Sequence, residues 1–171
     1  MNCLHIYTGD GKGKTTAATG LALRMLGCGK KVVFCQFFKN GSSGEIKALK
    51  TFENLTYLKS EDSFPFFFKM TEEQKEEAKL AFAKLFDDVI SLAQDCDLIV
   101  FDEIISTYNY GFFDKEHVIA SLNKLKEHCE VVTTGRNPEK ELCEIADYIS
   151  NIQCVKHPFE LGIKARKGIE F

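Results

Sequence analysis

The run Thr8-Gly9-Asp10-Gly11-Lys12-Gly13-Lys14-Thr15-Thr16 constrains this chain more than any other stretch. It follows an apolar segment, Cys3 to Tyr7, that reads as a short buried strand. It precedes Ala17 to Leu26, where Leu21, Ala22 and Met25 fall at helical spacing. A glycine-rich turn between strand and helix is the setting of a phosphate-binding loop. Glycines let successive backbone N–H groups turn inward around phosphate oxygens, and the helix start adds the positive end of its dipole. Lys14 is placed to reach the outer phosphates and the Thr15 hydroxyl to ligate Mg²⁺, with Gly9, Asp10, Gly11, Lys12, Gly13 and Thr16 completing the nucleotide-binding set. The pattern GxxxxGK[ST] wants glycine where Thr8 stands; Gly9 follows one place later. Lys14 fills the third glycine position of GxGxxG, which excludes a dinucleotide fingerprint. The loop reads as a nucleoside triphosphate site.

A length of 171 residues suits one domain, residues 1–171, with a sizeable core. A net charge of −3 gives no basic surface for nucleic acid and no polybasic patch for a membrane. No apolar run approaches the roughly 20 residues that span a bilayer. The first strand begins almost at Met1, leaving no room for a signal peptide, so a cytoplasmic location is expected. Cys3, Cys28, Cys35, Cys96, Cys129, Cys143 and Cys154 contain no C-x-x-C pair and mostly sit in or beside apolar runs, so they read as reduced, largely buried thiols.

Beyond Gly27 and Gly29, which stop the first helix, Lys31 to Phe38 is near-continuously apolar, as parallel strands buried on both faces are. Lys39 to Gly44 is then a polar loop beyond a strand's carboxyl end, the edge where open α/β sheets bind ligands. A short helix from about Glu45 to Phe52 and a weak strand from Leu55 to Leu58 follow. In Ser60 to Met70, Phe64, Phe66, Phe67 and Phe68 crowd around Pro65, which favours an extended loop. These rings either tuck into the core or wall a ligand site. Thr71 to Ala93 predicts a helix opened by a Thr71/Gln74 capping box, with Ala78, Phe82, Leu85, Phe86, Val89, Leu92 and Ala93 on one face.

Cys96 to Ile105 reads as a buried strand carrying Asp102 and Glu103, the acidic half of a P-loop site: Asp102 holds Mg²⁺ directly or through water, and Glu103 ligates the metal or orients a reacting group. Asp114 is expected to cap a helix through Leu125, and Glu130 to Thr134 to form a strand. Asn137 as cap with Pro138 at the first helical position predicts a short helix to about Ile145. Tyr148 to Val155 reads as the last strand. The tail from Lys156 to Phe171 resembles a binding segment, since Phe159, Leu161 and Ile163 need cover. Strand and helix alternate throughout, so we expect a three-layer α/β fold, P-loop NTPase-like and RecA-like, with one predominantly parallel sheet flanked by helices.

Three arginines, Arg24, Arg136 and Arg166, are few for a phosphoryl transferase, which gathers arginines around the migrating group. The phenylalanine-rich loop suggests a large, flat, partly apolar second ligand. A P-loop kinase for a nucleoside or small metabolite, and a non-catalytic ATP-dependent switch, are the alternatives. Arg24, Arg136 and His157 are further candidates for ligand contact, with Gln36 and Lys39 behind them.

The run TGDGKGKTTAATGLALR, the strand VVFCQFFK, the pair in IVFDEI, the turn TTGRN and the ending VKHPFELGIKARKGIEF together resemble the P-loop ATP:corrinoid adenosyltransferases over nearly the whole chain. The family shares Thr8 in its version of the loop. Members often carry a segment ahead of the first strand that helps to close the site, whereas Met1 here almost begins that strand. The resemblance implies transfer of the 5′-deoxyadenosyl group of ATP to cob(I)alamin or a precursor corrinoid, with release of triphosphate. It implies ATP bound with its phosphates reversed along the loop, Mg²⁺ on Thr15, Asp102 and Glu103, and nucleotide contacts that include Arg24. Lys14 and Glu103 are then catalytic, as are Phe64 and Phe66, which lie against the corrin and displace its lower cobalt ligand. Phe67, Arg136 and His157 join these two in binding the corrinoid. A flavoprotein electron donor and a homodimer are implied as well.

Overall fold

The computed structural model describes residues 1–62, 64–65 and 67–170. Six parallel strands alternate with helices: β1 Leu4–Thr8, α1 Lys14–Gly27, β2 Val32–Gln36, α2 Gly44–Leu49, β3 Leu55–Lys59, α3 Glu72–Ser91, β4 Leu98–Asp102, α4 Ile104–Asn109, α5 Lys115–Leu125, β5 Glu130–Thr134, α6 Lys140–Ile145 and β6 Tyr148–Asn151. The strands stand side by side as β3-β2-β4-β5-β1-β6. This is the three-layer parallel architecture read from the sequence.

All five residues of β2 and all five of β4 are buried, which explains why both segments read as unbroken apolar runs. Side chains alternate between the two faces. Val32, Phe34, Leu98, Val100 and Val132 pack with Ala18, Ala22 and Leu26 of α1 and with Ile46 and Leu49 of α2. Val33, Cys35, Ile99, Phe101 and Val131 face the other way, onto α3, α4 and α5. On α3, Ala78, Phe82, Leu85, Phe86 and Val89 form the buried stripe. Each large side chain on it contributes about 1.5–3 kcal/mol by leaving water. Both halves of the Thr71/Gln74 capping box are made, at 3.2 and 3.0 Å. All seven cysteines carry free thiols. No helix among the described residues is long and apolar enough to cross a membrane.

Three of the boundaries that differ from the sequence reading bear on the site. The strand carrying the acidic pair ends at Asp102. Glu103 turns to a left-handed φ of 65° and α4 begins at Ile104, where Ile104-Ile105 reads as more strand by β-branched propensity. The helix expected from Asn137-Pro138 starts at Lys140 instead, because Asn137 takes a left-handed φ of 50°, outside the extended backbone of a cap residue. The last strand stops at Asn151, since beyond it Ile152 turns toward the phosphate loop, its N–H donating to the Thr8 carbonyl at 2.8 Å.

Because β5 lies between β1 and β4, the phosphate loop and the acidic strand end are one strand apart. Register brings Gln36 beside Asp102, and Tyr7 beside Thr134, at one edge of the sheet. That edge carries the site.

Candidate functional site

The loop between β1 and α1 is stiffened from two directions. The Lys14 ammonium donates to the Gly9 and Gly11 carbonyls at 2.7 and 2.9 Å, bending back across the loop it follows. From outside, Gly11 N–H donates to the Ile152 carbonyl at 2.7 Å. A Cβ on Gly11 would stand 2.7 Å from the carbonyl oxygens of Ile152 and Gln153, so only glycine fits there. Gly13 ends the loop at φ 122°, and no side chain caps α1, which leaves its first N–H groups available to an anion. Burial pushes the Lys14 amine below its ordinary value; Arg136 and Lys39 act in the same sense, and Glu103 and Asp10 oppose them. A cleft of about 490 Å³ over this loop is lined by residues that include Lys12, Lys14, Thr15, Glu103 and Arg136. Thr19 also lines it, and its hydroxyl oxygen is buried without a hydrogen-bond partner among the described residues.

Asp102 is fully buried, and its two oxygens accept four hydrogen bonds. Oδ1 takes the Thr15 and Thr134 hydroxyls at 2.9 and 2.7 Å; Oδ2 takes Gln36 Nε2 and the Lys39 ammonium at 2.9 and 2.7 Å. A buried carboxylate is tolerable only when paired and hydrogen-bonded in this way. The Tyr57 hydroxyl donates to Gln36 Oε1 at 2.9 Å and so orients the amide; burial pushes this phenol up to about 12, keeping it a donor. Glu103 N–H donates to Thr134 Oγ1 at 2.9 Å, tying the residue after β4 to the end of β5.

The donor set suits a magnesium ion. With its proton directed at Asp102, Thr15 Oγ1 turns its lone pairs to cations, one of them accepting from the Lys39 ammonium at 2.8 Å, and Glu103 borders the same cleft. Mg²⁺ is bound in such places by one or two carboxylates together with substrate phosphates. Among the described residues no group of three or more His, Cys, Asp or Glu side chains could hold a metal by itself.

A second cavity of about 520 Å³ adjoins the first, sharing Lys39, Glu45 and Glu170 as wall. Its apolar lining is Phe38, Phe64, Pro65 and Phe82, with Phe64 set edge-on against Phe82 at 5.5 Å between ring centres. Phe38, Glu103 and Asn137 are the described non-glycine residues with left-handed φ, and each follows the carboxyl end of a central strand. Backbone strain gathered at one sheet edge is a mark of a functional site.

The structure therefore brings together Gly9 to Thr16, Asp102, Glu103 and Phe64. Phe66, expected beside Phe64, lies outside the described residues. Phe67 is stacked flat on Tyr110 at 4.2 Å, and Phe68 is exposed; neither lines the apolar cavity. Arg136 and His157 border the nucleotide cleft rather than the phenylalanine cavity. Arg24 lies about 15 Å along the α1 axis from Lys14, on an exposed last turn, and is not among the residues that line the cleft. Sequence reasoning passed over Thr19 and Thr134, and it ranked Lys39 and Gln36 low. The available signal was their position, one at the first turns of the P-loop helix and the others at carboxyl ends of buried strands. The tail returns to the site, with Gly168, Ile169 and Glu170 lining the nucleotide cleft.

The parallel sheet, the phosphate loop and a buried aspartate one strand away define a P-loop NTPase-like protein of the RecA-like class. A KaiC-like protein from the archaeon Pyrococcus horikoshii shares the fold, with a TM-score of 0.55 at 15% identity over 98% of this chain and 74% of its own. Within that class the chain belongs to the family described as ATP:corrinoid adenosyltransferase BtuR/CobO/CobP, whose model matches residues 1–171. A corrinoid adenosyltransferase of Pseudomonas aeruginosa is 33% identical over 98% of this chain and 83% of its own length. One from Salmonella typhimurium is 33% identical over 97% and 84%.

Proposed function

We propose that this protein transfers the 5′-deoxyadenosyl group of ATP to the Co(I) centre of a corrinoid, cobalamin or a precursor, and releases triphosphate. The observation that carries the reading is the pair of adjoining cavities, one built on the phosphate loop and the other walled by Phe38, Phe64, Pro65 and Phe82, with Lys39, Glu45 and Glu170 between them.

The chemistry asks little proton transfer of the protein. The Co(I) electron pair attacks ribose C5′, a cobalt–carbon bond forms, and the C5′–O bond breaks with its electrons leaving on the triphosphate. Aiming cobalt at carbon is the main task, and the aromatic wall beside the phosphate loop supplies a shelf for a flat macrocycle. Lys12, Lys14 and the amides at the start of α1 stabilise charge as it grows on the leaving group. Thr15, Asp102 and Glu103 would hold Mg²⁺, which would supply further neutralisation of phosphate charge. Phe64, in the cavity wall, faces the corrin and displaces its lower cobalt ligand, which makes Co(II) easier to reduce; Phe66 is the second residue we assign to this role. The reductant is a flavoprotein, and the enzyme works in the cytoplasm. It acts as a homodimer, a reading supported by the half-exposed Tyr148 and Ile149 on the outermost strand of the sheet.

Anaerobic incubation with Mg-ATP and chemically reduced cob(I)alamin tests the proposal. The expected products are inorganic triphosphate and an alkylated corrinoid in equal amounts. Stoichiometric ADP would show a kinase instead, and nucleotide-dependent capture of a protein with no spectral change in the corrinoid would show a switch.

A further inference from the structure

The Lys39 side chain sits where a metal ion would be expected to act. Its ammonium donates to Thr15 Oγ1 at 2.8 Å and to Asp102 Oδ2 at 2.7 Å, joining the P-loop hydroxyl to the carboxylate at the end of β4. The contact is built rather than incidental. Phe38, immediately before it, adopts a left-handed φ of 54°, which turns the chain after β2 and directs Lys39 back over the strand ends. Asp102 is wholly buried, and Lys39 is its sole charged partner among the described residues. Thr15 Oγ1, its proton committed to Asp102, offers its remaining lone pairs on the side where Lys39 donates.

We infer that Lys39 is an internal counter-ion for the metal position, exchanged for Mg²⁺ when the metal arrives with nucleotide. The inference rests on the reading of this cleft as a metal–triphosphate site and is independent of which corrinoid is used. Physically, a buried carboxylate left without a cation is costly, so the nucleotide-free protein needs the ammonium. A divalent ion and an ammonium cannot both lie against Thr15 Oγ1 and Asp102 without strong like-charge repulsion. Free metal must therefore displace Lys39 and gains little by doing so. Metal carried on a triphosphate differs, because the phosphates bring negative charge that receives the released ammonium. Lys39 is about one-third exposed and already lies on the wall of the nucleotide cleft, so its release needs a side-chain rotation rather than an opening of the core. Freed, it joins Lys12 and Lys14 as a third lysine facing the leaving group. Lys39 thus acts as a positioning residue that makes metal and nucleotide bind together.

The test uses Mn²⁺ followed by electron paramagnetic resonance on the full chain, with no corrinoid present. Without nucleotide, the wild type is expected to bind Mn²⁺ weakly and Lys39→Met at least tenfold more tightly. Lys39→Arg, which keeps the charge, should stay close to the wild type. Equal Mn²⁺ affinity of wild type and Lys39→Met would overturn the exchange. On the unaltered protein, the ¹⁵Nζ ammonium resonance of Lys39 should shift when Mg-ATP is added, but not with Mg²⁺ alone. A resonance unmoved by Mg-ATP would overturn the inference even if Lys39→Met does not fold. ATP that fails to raise Mn²⁺ binding above that of ATP without protein would instead count against the nucleotide-site reading itself.

Discussion

Where β2, β4 and β5 end, Gln36, Asp102 and Thr134 are buried together and every polar atom of the carboxylate is bonded. Along β6 and the tail the burial pattern inverts. All four residues of β6 are exposed, and Val155, Phe159 and Leu161 show 92%, 77% and 73% of their surface to solvent. Even a fully paired buried carboxylate adds little stability over a well-packed apolar group, so the first region is retained for something other than stability. Exposed apolar side chains in the second neither build the core nor pack beneath it. The two should therefore answer mutation in opposite ways: the buried polar cluster through both folding and chemistry, the exposed apolar side chains of the second region through neither in the isolated chain.

The sharpest way to break this contrast is Asp102→Ala. It leaves the Lys39 ammonium and three further donors facing an apolar methyl, and should cost about 3–5 kcal/mol. Adenosyl transfer should fall by more than about 100-fold with loss of the proposed metal ligand; urea denaturation reads the first effect and product formation the second. Next come the glycines. Gly11→Ala drives a Cβ into the Ile152 and Gln153 carbonyls and should weaken ATP binding by about tenfold or more, roughly 1.4 kcal/mol or greater. Gly20→Ala, mid-helix with nothing within 4 Å, should instead stabilise by about 0.5–1 kcal/mol, so the two changes carry opposite signs in denaturation and calorimetry.

Phe64→Ala is expected to slow turnover on the order of tenfold with Co(II) substrate plus reductant, about 1.4 kcal/mol of barrier, and less with preformed Co(I). Equal loss in both assays would remove the ligand-displacement role.

A smaller effect concerns Asp147, which leads into β6. The Leu4 N–H bond, at 2.8 Å, holds its carboxyl below the usual value, and Lys126 adds to this. A lowered folded value stabilises above the unfolded carboxylate range of about 3.9 and is lost as pH falls through the folded value. Asp147→Asn should thus lower the urea midpoint slightly at pH 7, and the gap to wild type should close as the pH falls through the lowered folded value. Smallest of all, Phe159→Ser and Leu161→Ser should leave monomer stability within about 0.5 kcal/mol.

The central sheet was legible because β2, β4 and β5 are buried on both faces and so show in the sequence as unbroken apolar runs. The loop was legible because only glycine permits its approach to Ile152. What escaped depended on backbone turns that the sequence does not announce. Glu103 and Asn137 adopt left-handed conformations without being glycine, so a helix began where strand was expected and another began later than its apparent cap. Lys39 looked like one more loop lysine until the turn at Phe38 placed it on Asp102. Phe64 and Phe67 are chemically alike and three residues apart. Only packing separates them, one ring edge-on to Phe82 in the cavity wall and the other flat on Tyr110.

The bond from Gly11 to the Ile152 carbonyl has an implication for biosynthesis. The motif is translated well before Ile152 and Gln153, which form its outer wall. A nascent chain stalled before Ile152 would hold the complete phosphate-binding motif without the brace that shapes it, and should not retain ATP. Nucleotide capture is thereby deferred until β6 has joined the sheet beside β1.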